Sequence, residues 1–318
     1  MSGLLESLEV RAVTVPMRHR FRRIDQRDVL LIRGPSGWGE FSPFAEYPPE
    51  VTHRWLAAAL ELACSDLPGP GRDEVEVNVT VPVVAPDTAA EIVRSSGART
   101  AKVKIGDPGH SEEDDLERLE AVAEALGPGG RIRVDVNGAW DLETATSRLS
   151  RMERFDLEYA EQPVETVEEM VELRRRVAVP LAADELVRRS IDPLRVVEEG
   201  GADVIVLKVQ PLGGVVRTLE IAERAGVPAV VSSALETSVG MYGGLLAASL
   251  LETPVACGLN TVPMLAADIT SDPLVAVAGS IRVRRPEPDP DLVERWSSDP
   301  RTANEMTRRL HAAAALLT

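Results

Sequence analysis

The sequence predicts an α/β protein, a TIM-like (β/α)7β barrel with an α+β capping domain made from both ends of the chain. Three observations predict it. Between residues 75 and 283, short apolar runs alternate with stretches of helical period, as in a series of βα units. Ionisable residues recur at the ends of those runs, at steps of 26, 23 and 24 residues from Asp135 to Glu161, Asp184 and Lys208. Residues 1–74 instead read as antiparallel strands and one helix, and residues 284–318 as a Pro-rich exit and a last helix leading back to them.

In chain order, Leu8 to Val15 alternates as a strand does, and Asp28 to Arg33 runs into the Gly34-Pro35-Ser36-Gly37 turn. A helix from Pro49 to Ser65 follows, with proline in its first turn and Leu56, Leu60 and Ala63 on one face. Leu67 to Asp73, rich in Gly and Pro, marks the boundary with the barrel. The barrel strands are read as Val75–Val81, Ala101–Ile105, Arg131–Val136, Leu157–Ala160, Leu181–Ala183, Val204–Lys208, Ala229–Val231 and Val255–Gly258. Helices are read over Glu112–Leu126, Leu142–Arg154, Thr166–Arg176 and Arg301–Leu317. A doubly wound sheet is the alternative, but no glycine fingerprint for a nucleotide supports it.

Composition narrows the partners. The net charge of −16 disfavours nucleic acid and anionic membranes, which call for basic patches. Two distant cysteines, Cys64 and Cys257, suggest neither a disulfide framework nor a zinc site. The most apolar stretch, Gly243 to Leu251, is far shorter than the ~20 residues of a membrane span. With no signal-peptide pattern, the expectation is a cytoplasmic protein acting on a small molecule, with no obligate protein partner evident. Of the 35 basic residues only three are lysine: Lys102, Lys104 and Lys208. Arginine is not usefully deprotonated, whereas a desolvated lysine is, so lysines retained in so arginine-rich a chain suit proton chemistry.

All three lysines fall at strand ends. Lys102 and Lys104, two apart, share a face, as do Asp135 and Asn137. Glu161, Asp184 and Lys208 end the next three runs, and Ser232 and Ser233 the one after. The C-terminal rim is where a barrel builds its active site. Taken singly, an aspartate there is more often a helix cap and a lysine a solvated charge. Three carboxylates converging on one mouth, however, repel unless a cation joins them, and oxygen-only ligands select a hard cation such as Mg²⁺. His19, His53, His110 and His311 lie on no strand end, and no GxSxG nucleophile is present. These parts suit removal of a proton next to a carboxylate. A divalent cation stabilises the enediolate, and burial and a neighbouring cation lower a lysine base towards pH 7.

The order KxK, DxN, a strand-ending EQP, DE and a strand-ending lysine resembles the muconate-lactonising-enzyme subgroup of the enolase superfamily over nearly the whole chain. The likeness is closest to the o-succinylbenzoate synthase family, through RHRFR (Arg18 to Arg22), GWGEFSPFAEY (Gly37 to Tyr47), SSALETSVG (Ser232 to Gly240) and GLNT (Gly258 to Thr261). The family usually has Asp where this chain has Asn260. The resemblance implies that Asp135, Glu161 and Asp184 bind Mg²⁺ (or Mn²⁺), and that Lys104 is the acid/base. It further implies that Lys102 holds the substrate carboxylate, that Lys208 stabilises the enediolate from the opposite face, and that Asn137, Ser232, Ser233 and Gly258 contact substrate. The resemblance also implies that Asn137 and Glu185 support these groups from behind. The implied reaction is a dehydration in menaquinone biosynthesis. An N-acylamino-acid racemase, a dipeptide epimerase or a cycloisomerase needs the same metal and lysines, and a member that kept the barrel but lost its chemistry is the non-enzymatic alternative.

Overall fold

A computed structural model describes residues 5–21, 24–252 and 255–317. The chain opens with an antiparallel sheet, β1 (Glu9–Phe21), β2 (Ile24–Gly34) and β3 (Gly37–Phe41), in that spatial order. The β2–β3 hairpin turns on Pro35 and Ser36, with Gly34 paired to Gly37. Gly37 has φ 122°, a conformation that favours glycine. Helix α1 (Pro49–Cys64) follows and buries Trp55, Leu56, Ala59 and Ala63.

The central unit is a parallel sheet of seven strands in the order β11-β10-β9-β8-β7-β6-β5. They are β5 (Val79–Val81), β6 (Thr100–Lys104), β7 (Arg131–Asp135), β8 (Tyr159–Glu161), β9 (Leu181–Ala183), β10 (Val204–Leu207) and β11 (Ala229–Val231). The strand read from the sequence as Val75–Val81 is broken. Its first part, β4 (Glu74–Glu76), pairs antiparallel with β12 (Ser280–Arg282), and only the remainder enters the barrel. The eighth run, Val255–Gly258, is reduced to two parallel bridges, Val77 with Cys257 and Ser232 with Gly258. These bridges join the two edges of the sheet, so one short segment closes the barrel.

Helices α2 (Pro86–Ser96), α3 (Glu112–Leu126), α4 (Leu142–Met152), α5 (Val167–Arg176), α6 (Glu185–Arg188), α7 (Arg195–Glu198), α8 (Val209–Leu212), α9 (Val215–Ala225) and α10 (Ser238–Leu250) connect the strands. Local sequence starts several of them. Ser111 and Thr166 each form a reciprocal capping box, with Asp114 and Glu169. The run read as a helix to Arg154 ends at Met152 and tightens into a 3₁₀ turn, Glu153–Phe155.

Alternation along the strands sorts side chains into two layers. Ala101, Val103, Ile132, Val134, Leu181 and Ile205 point outward and pack under the helices with Leu119, Leu149 and Met170. The intervening positions point inward, where Tyr159, Ala182, Val206 and Val230 form a small apolar plug. A third core lies around the N-terminal sheet, where Val13, Val15, Leu30, Ile32, Phe41 and Trp55 meet Met306 and Leu310. These last two belong to α12 (Pro300–Ala314), which follows α11 (Pro290–Arg295).

Close approach of β3 to α1 depends on Gly39, where a Cβ would lie 2.0 Å from the Ala59 carbonyl oxygen. The clash is with backbone and has no flexible side chain to relieve it. Gly39→Ala is therefore expected to lower unfolding free energy by about 1–3 kcal/mol, read as a reduced urea midpoint with an unchanged m-value.

Candidate active site

Strand register places the ionisable residues before any side chain is considered. In the parallel ladder Lys104 pairs with Asp135 and Asp135 with Glu161. Glu161 pairs with Ala182, two residues before Asp184, and Ala182 with Val204. Val206 lies one pleat further and precedes Lys208 by two residues. It pairs with Val230, which precedes Ser232 by two. All these residues share the inward parity, and all lie at the C-terminal rim.

The side chains interlock there. Lys102 Nζ donates to both carboxylate oxygens of Glu161, at 3.1 and 3.0 Å, and lies 3.1 Å from Asp135 Oδ2. Lys104 Nζ donates to Asp135 Oδ2 at 2.6 Å and to Asn137 Oδ1 at 2.8 Å. Lys208 Nζ donates to Asp184 Oδ2 at 2.6 Å. Asp135, Glu161 and Asp184 are each about 1% exposed. Burial opposes ionisation of Asp135, but Lys104 and Lys102 hold it well below the usual carboxylate range. Asp184 is likewise held low against burial, by Lys208 and Arg188. Glu161 moves the other way, pushed up by burial and by the Asp135 charge. Burial would lower Lys102, yet Glu161 and Asp135 raise it. Lys208 is lowered, chiefly by burial.

A cleft of about 480 Å³ opens above this cluster, within the range of small-molecule sites. Lys102, Lys104, Asp135, Asn137, Asp184 and Lys208 line it, and so do Ser232, Ser233 and Gly258. Lys104 on β6 and Lys208 beyond β10 stand four strands apart, on opposite sides. Of the residues read from the sequence as metal ligands, catalytic lysines or substrate contacts, Glu161 alone is absent from that lining. It lies beneath Lys102. Gly258 packs against Ser232, leaving no room for a Cβ, which would meet Ser232 Oγ at 2.6 Å. Ser233 Oγ bonds Thr261 Oγ1 and donates to Glu236. Asn137 Nδ2 donates to Glu185 Oε1 at 3.4 Å, bringing together two residues expected to support the site. Asn260 accepts from the Ala276 amide at 3.3 Å, a loop contact away from the lysines. Of the RHRFR segment, Arg22 lies outside the described residues. Arg18 donates to the Pro263 carbonyl at 2.9 Å.

Among the described residues no three His, Cys, Asp or Glu side chains are gathered as in a metal site. Each of the three acids is turned onto an ammonium group instead. The donor set nevertheless fits a hard divalent cation: three buried carboxylates on neighbouring strand ends, inward-facing, with no nitrogen or sulfur ligand among them. Glu161, held above the usual carboxylate range beside the Asp135 charge, carries an electrostatic penalty that a bound cation reverses.

Three supports were not read from the sequence. Arg188 is buried and reaches both Asp184 Oδ1, at 2.9 Å, and the Tyr47 hydroxyl of the N-terminal unit, at 3.0 Å. It stands one helical turn after Asp184, a spacing that reveals such a pair once a helix is assigned there. Arg118 on α3 donates to the Lys104 carbonyl at 3.2 Å and the Val84 carbonyl at 2.7 Å. It is held by Asp115 at 2.8 Å, whose other oxygen accepts the Gly106 amide. This buried pair fixes the rim just after Lys104. Finally, Arg27 on β2 and Glu40 on β3, both buried, project onto the loop after β11.

The comparisons with known proteins agree with this geometry. Residues 85–289 match the model described as "Enolase C-terminal domain-like", and residues 12–63 the "Enolase N-terminal domain-like" model. The chain is 57% identical to an o-succinylbenzoate synthase of Thermobifida fusca, over 86% of this chain and 87% of that one. It is 48% identical to the enzyme of that name from Mycolicibacterium smegmatis, over 91% and 89%. Among solved structures it resembles an N-succinyl Arg/Lys racemase from Bacillus cereus, with TM-score 0.79, 21% identity and coverage of 92% and 97%. A muconate lactonizing enzyme from Pseudomonas fluorescens superposes with TM-score 0.76 at 21% identity, covering 92% and 98%.

Two outcomes follow from the buried charges. Arg118→Met leaves Asp115 buried without its partner and is expected to cost about 3–5 kcal/mol, measured by urea unfolding. Burial pushes Glu40 up from 4.5 to about 7, against the pull of the Ser42 and Thr237 hydroxyls. Between those values the folded chain keeps a proton that the unfolded chain has released. The stability from this group is therefore lost as pH rises through that window. Glu40→Gln is expected to flatten the fall in melting temperature between pH 4.5 and 7 relative to wild type.

Proposed function

The chain belongs to the enolase superfamily and, within it, to the o-succinylbenzoate synthase family. From that premise we propose that it catalyses the syn dehydration of 2-succinyl-6-hydroxy-2,4-cyclohexadiene-1-carboxylate to 2-succinylbenzoate, a hydro-lyase step of menaquinone biosynthesis in the cytoplasm. The observation that carries the reading is one cleft walled on one side by Lys102 and Lys104 and on the other by Lys208, above three buried acids. Identity of 57% to a synthase over most of both chains supports the reaction. Residues 1–74 and 284–318 form the capping unit in this reading, and residues 75–283 the catalytic barrel.

Asp135, Glu161 and Asp184 would hold Mg²⁺ or Mn²⁺, which when bound supplies positive charge to the substrate carboxylate as it becomes an enediolate. Lys104, unprotonated, takes the proton from the carbon bearing that carboxylate, and the electron pair moves onto the carboxylate. The same ammonium then gives its proton to the departing hydroxyl, releasing water. A carbon–carbon double bond forms and completes the aromatic ring. Asp135 and Asn137 hold Lys104 Nζ at the cleft mouth, so one group serves as base and then acid on one face. Lys102 orients the substrate carboxylate. Lys208, buried and lowered in pKa, faces the developing charge from the opposite side. Ser232, Ser233 and Gly258, which line the same cleft, would receive the rest of the substrate.

Lys208 opposite Lys104 also fits a racemase or epimerase, in which two lysines act from opposite faces. Exchange of the α-proton of N-acylamino acids or dipeptides in D₂O, without dehydration of the diene, would favour that reading.

Dehydration followed by ultraviolet absorbance tests the proposal. Turnover is expected with Mg²⁺, abolished by EDTA, and reduced at least about 10³-fold in Lys104→Ala. A folded, Mg²⁺-loaded wild type without turnover would overturn it. In thermal melts, Mg²⁺ is expected to stabilise chelator-treated wild type, with the upward shift lost in Asp184→Asn.

A further inference from the structure

The N-terminal sheet reaches the loop that forms one wall of the cleft. Leu31 pairs with Glu40 across β2 and β3, and Arg27 lies four residues before Leu31, so Arg27 and Glu40 share one face of the sheet. Both are buried, and both are spent on one stretch of barrel, residues 234–240. Arg27 Nε donates to the Leu235 carbonyl at 3.0 Å, and its Nη2 to the Ala234 carbonyl at 3.4 Å and to the Ser42 carbonyl. Its guanidinium lies 4.3 Å from the centre of the Phe44 ring. Glu40 accepts from the Thr237 hydroxyl at 2.5 Å, the Thr237 amide at 3.3 Å and the Gly240 amide at 3.0 Å. Ser42 adds its hydroxyl to Glu40 at 2.6 Å.

The arrangement is complementary in sign. The guanidinium donates to carbonyls where the loop leaves β11, and the carboxyl oxygens accept from amides where α10 begins. The loop between has a conformation that local sequence does not favour, for Leu235 sits at φ 64°, which costs a non-glycine residue about 1 kcal/mol or more. The segment so held presents Ser232, Ser233, Ala234 and Leu235 to the cleft. A buried ion is expensive unless hydrogen bonds satisfy it, and here those bonds converge on the loop that forms one wall.

We propose that Arg27 and Glu40 are positioning residues for the substrate pocket, holding residues 232–237 in the shape that receives substrate. The proposal rests on the dehydratase reading for the identity of that substrate. The capping sheet is then part of the recognition surface through groups that never touch the ligand.

The test compares Glu40→Gln and Arg27→Lys with Leu149→Ala. Leu149 lies in the outer core layer, away from the cleft, and its truncation lowers stability without touching the loop. Each variant is assayed for kcat and KM of dehydration, and for amide hydrogen exchange of the peptide spanning residues 232–240. Glu40→Gln is expected to raise KM about tenfold with kcat within about threefold and to speed exchange of the loop amides. Arg27→Lys, which keeps the charge without the two-point donor, is expected to do so less strongly. Leu149→Ala is expected to lower the melting temperature and change neither readout. An unaltered loop exchange rate, or an unaltered KM, in folded Glu40→Gln and Arg27→Lys would overturn the proposal. So would an equal rise in KM for Leu149→Ala, which would reduce the effect to lost stability. Should Glu40→Gln not fold, Arg27→Lys carries the same comparison. A wild type with no dehydration would refute the functional reading alone, since the exchange measurement decides the positioning without substrate.

Discussion

Everything in the cleft depends on parallel register. Lys104, Asp135 and Glu161 are successive partners in one ladder, so three charges stand level on three adjacent strands before any side chain chooses a rotamer. Because inward and outward positions alternate, the same strands deliver Val103, Val134 and Ala160 to the outer core. A slip of one residue in any strand would carry its charge out under the helices and bring an apolar side chain into the cleft. Function and folding therefore constrain the same pairing, and the apolar outer layer enforces the register that the ionic cluster needs.

The cluster is costly to build from charges alone. Asp135, Glu161, Asp184, Lys102 and Lys208 are all buried, and each would destabilise the fold if left alone. Interlocking distributes the cost: Asp135 lies against two lysines, and Asp184 against Lys208 and Arg188. The opposed shifts of Glu161 and its neighbours follow from its place at the bottom, where burial outweighs what Lys102 provides. Under the proposed reaction, the same low dielectric that makes such groups hard to bury would make them effective on a developing charge.

Much of this was legible from sequence because the relevant signals are local. A βα repeat sets the spacing of strand ends, and inward parity follows from counting by twos. Elements whose form depends on a distant partner were not legible. The run Val75–Val81 looks continuous, yet it breaks where the Val77 amide turns to the Gly279 carbonyl and that of Asn78 to the Cys257 carbonyl. Val255–Gly258 reads as a strand but survives as two bridges. Of the site, the lysines and acids stood out by position, and Arg188 is recoverable from its spacing to Asp184. Arg27 and Glu40 carry no such mark. Their partners lie about 200 residues away in sequence, and arginine and glutamate on a strand read as solvated positions until the loop they hold is in view.

The three lysines of this chain stand at a single cleft, two of them buried and Lys104 half-buried. That concentrates primary-amine chemistry. Apart from the terminal amine, the broad arginine-rich surface offers nothing for acylation, reductive alkylation or amine-directed cross-linking. Amine reagents then have two kinds of target, the terminal amine and this cleft, and at the cleft their reaction is governed by whether a small electrophile enters and finds a neutral amine there. Immobilising the protein through its amines, routine for most proteins, would here either use the terminal amine or compete with occupancy of the site itself.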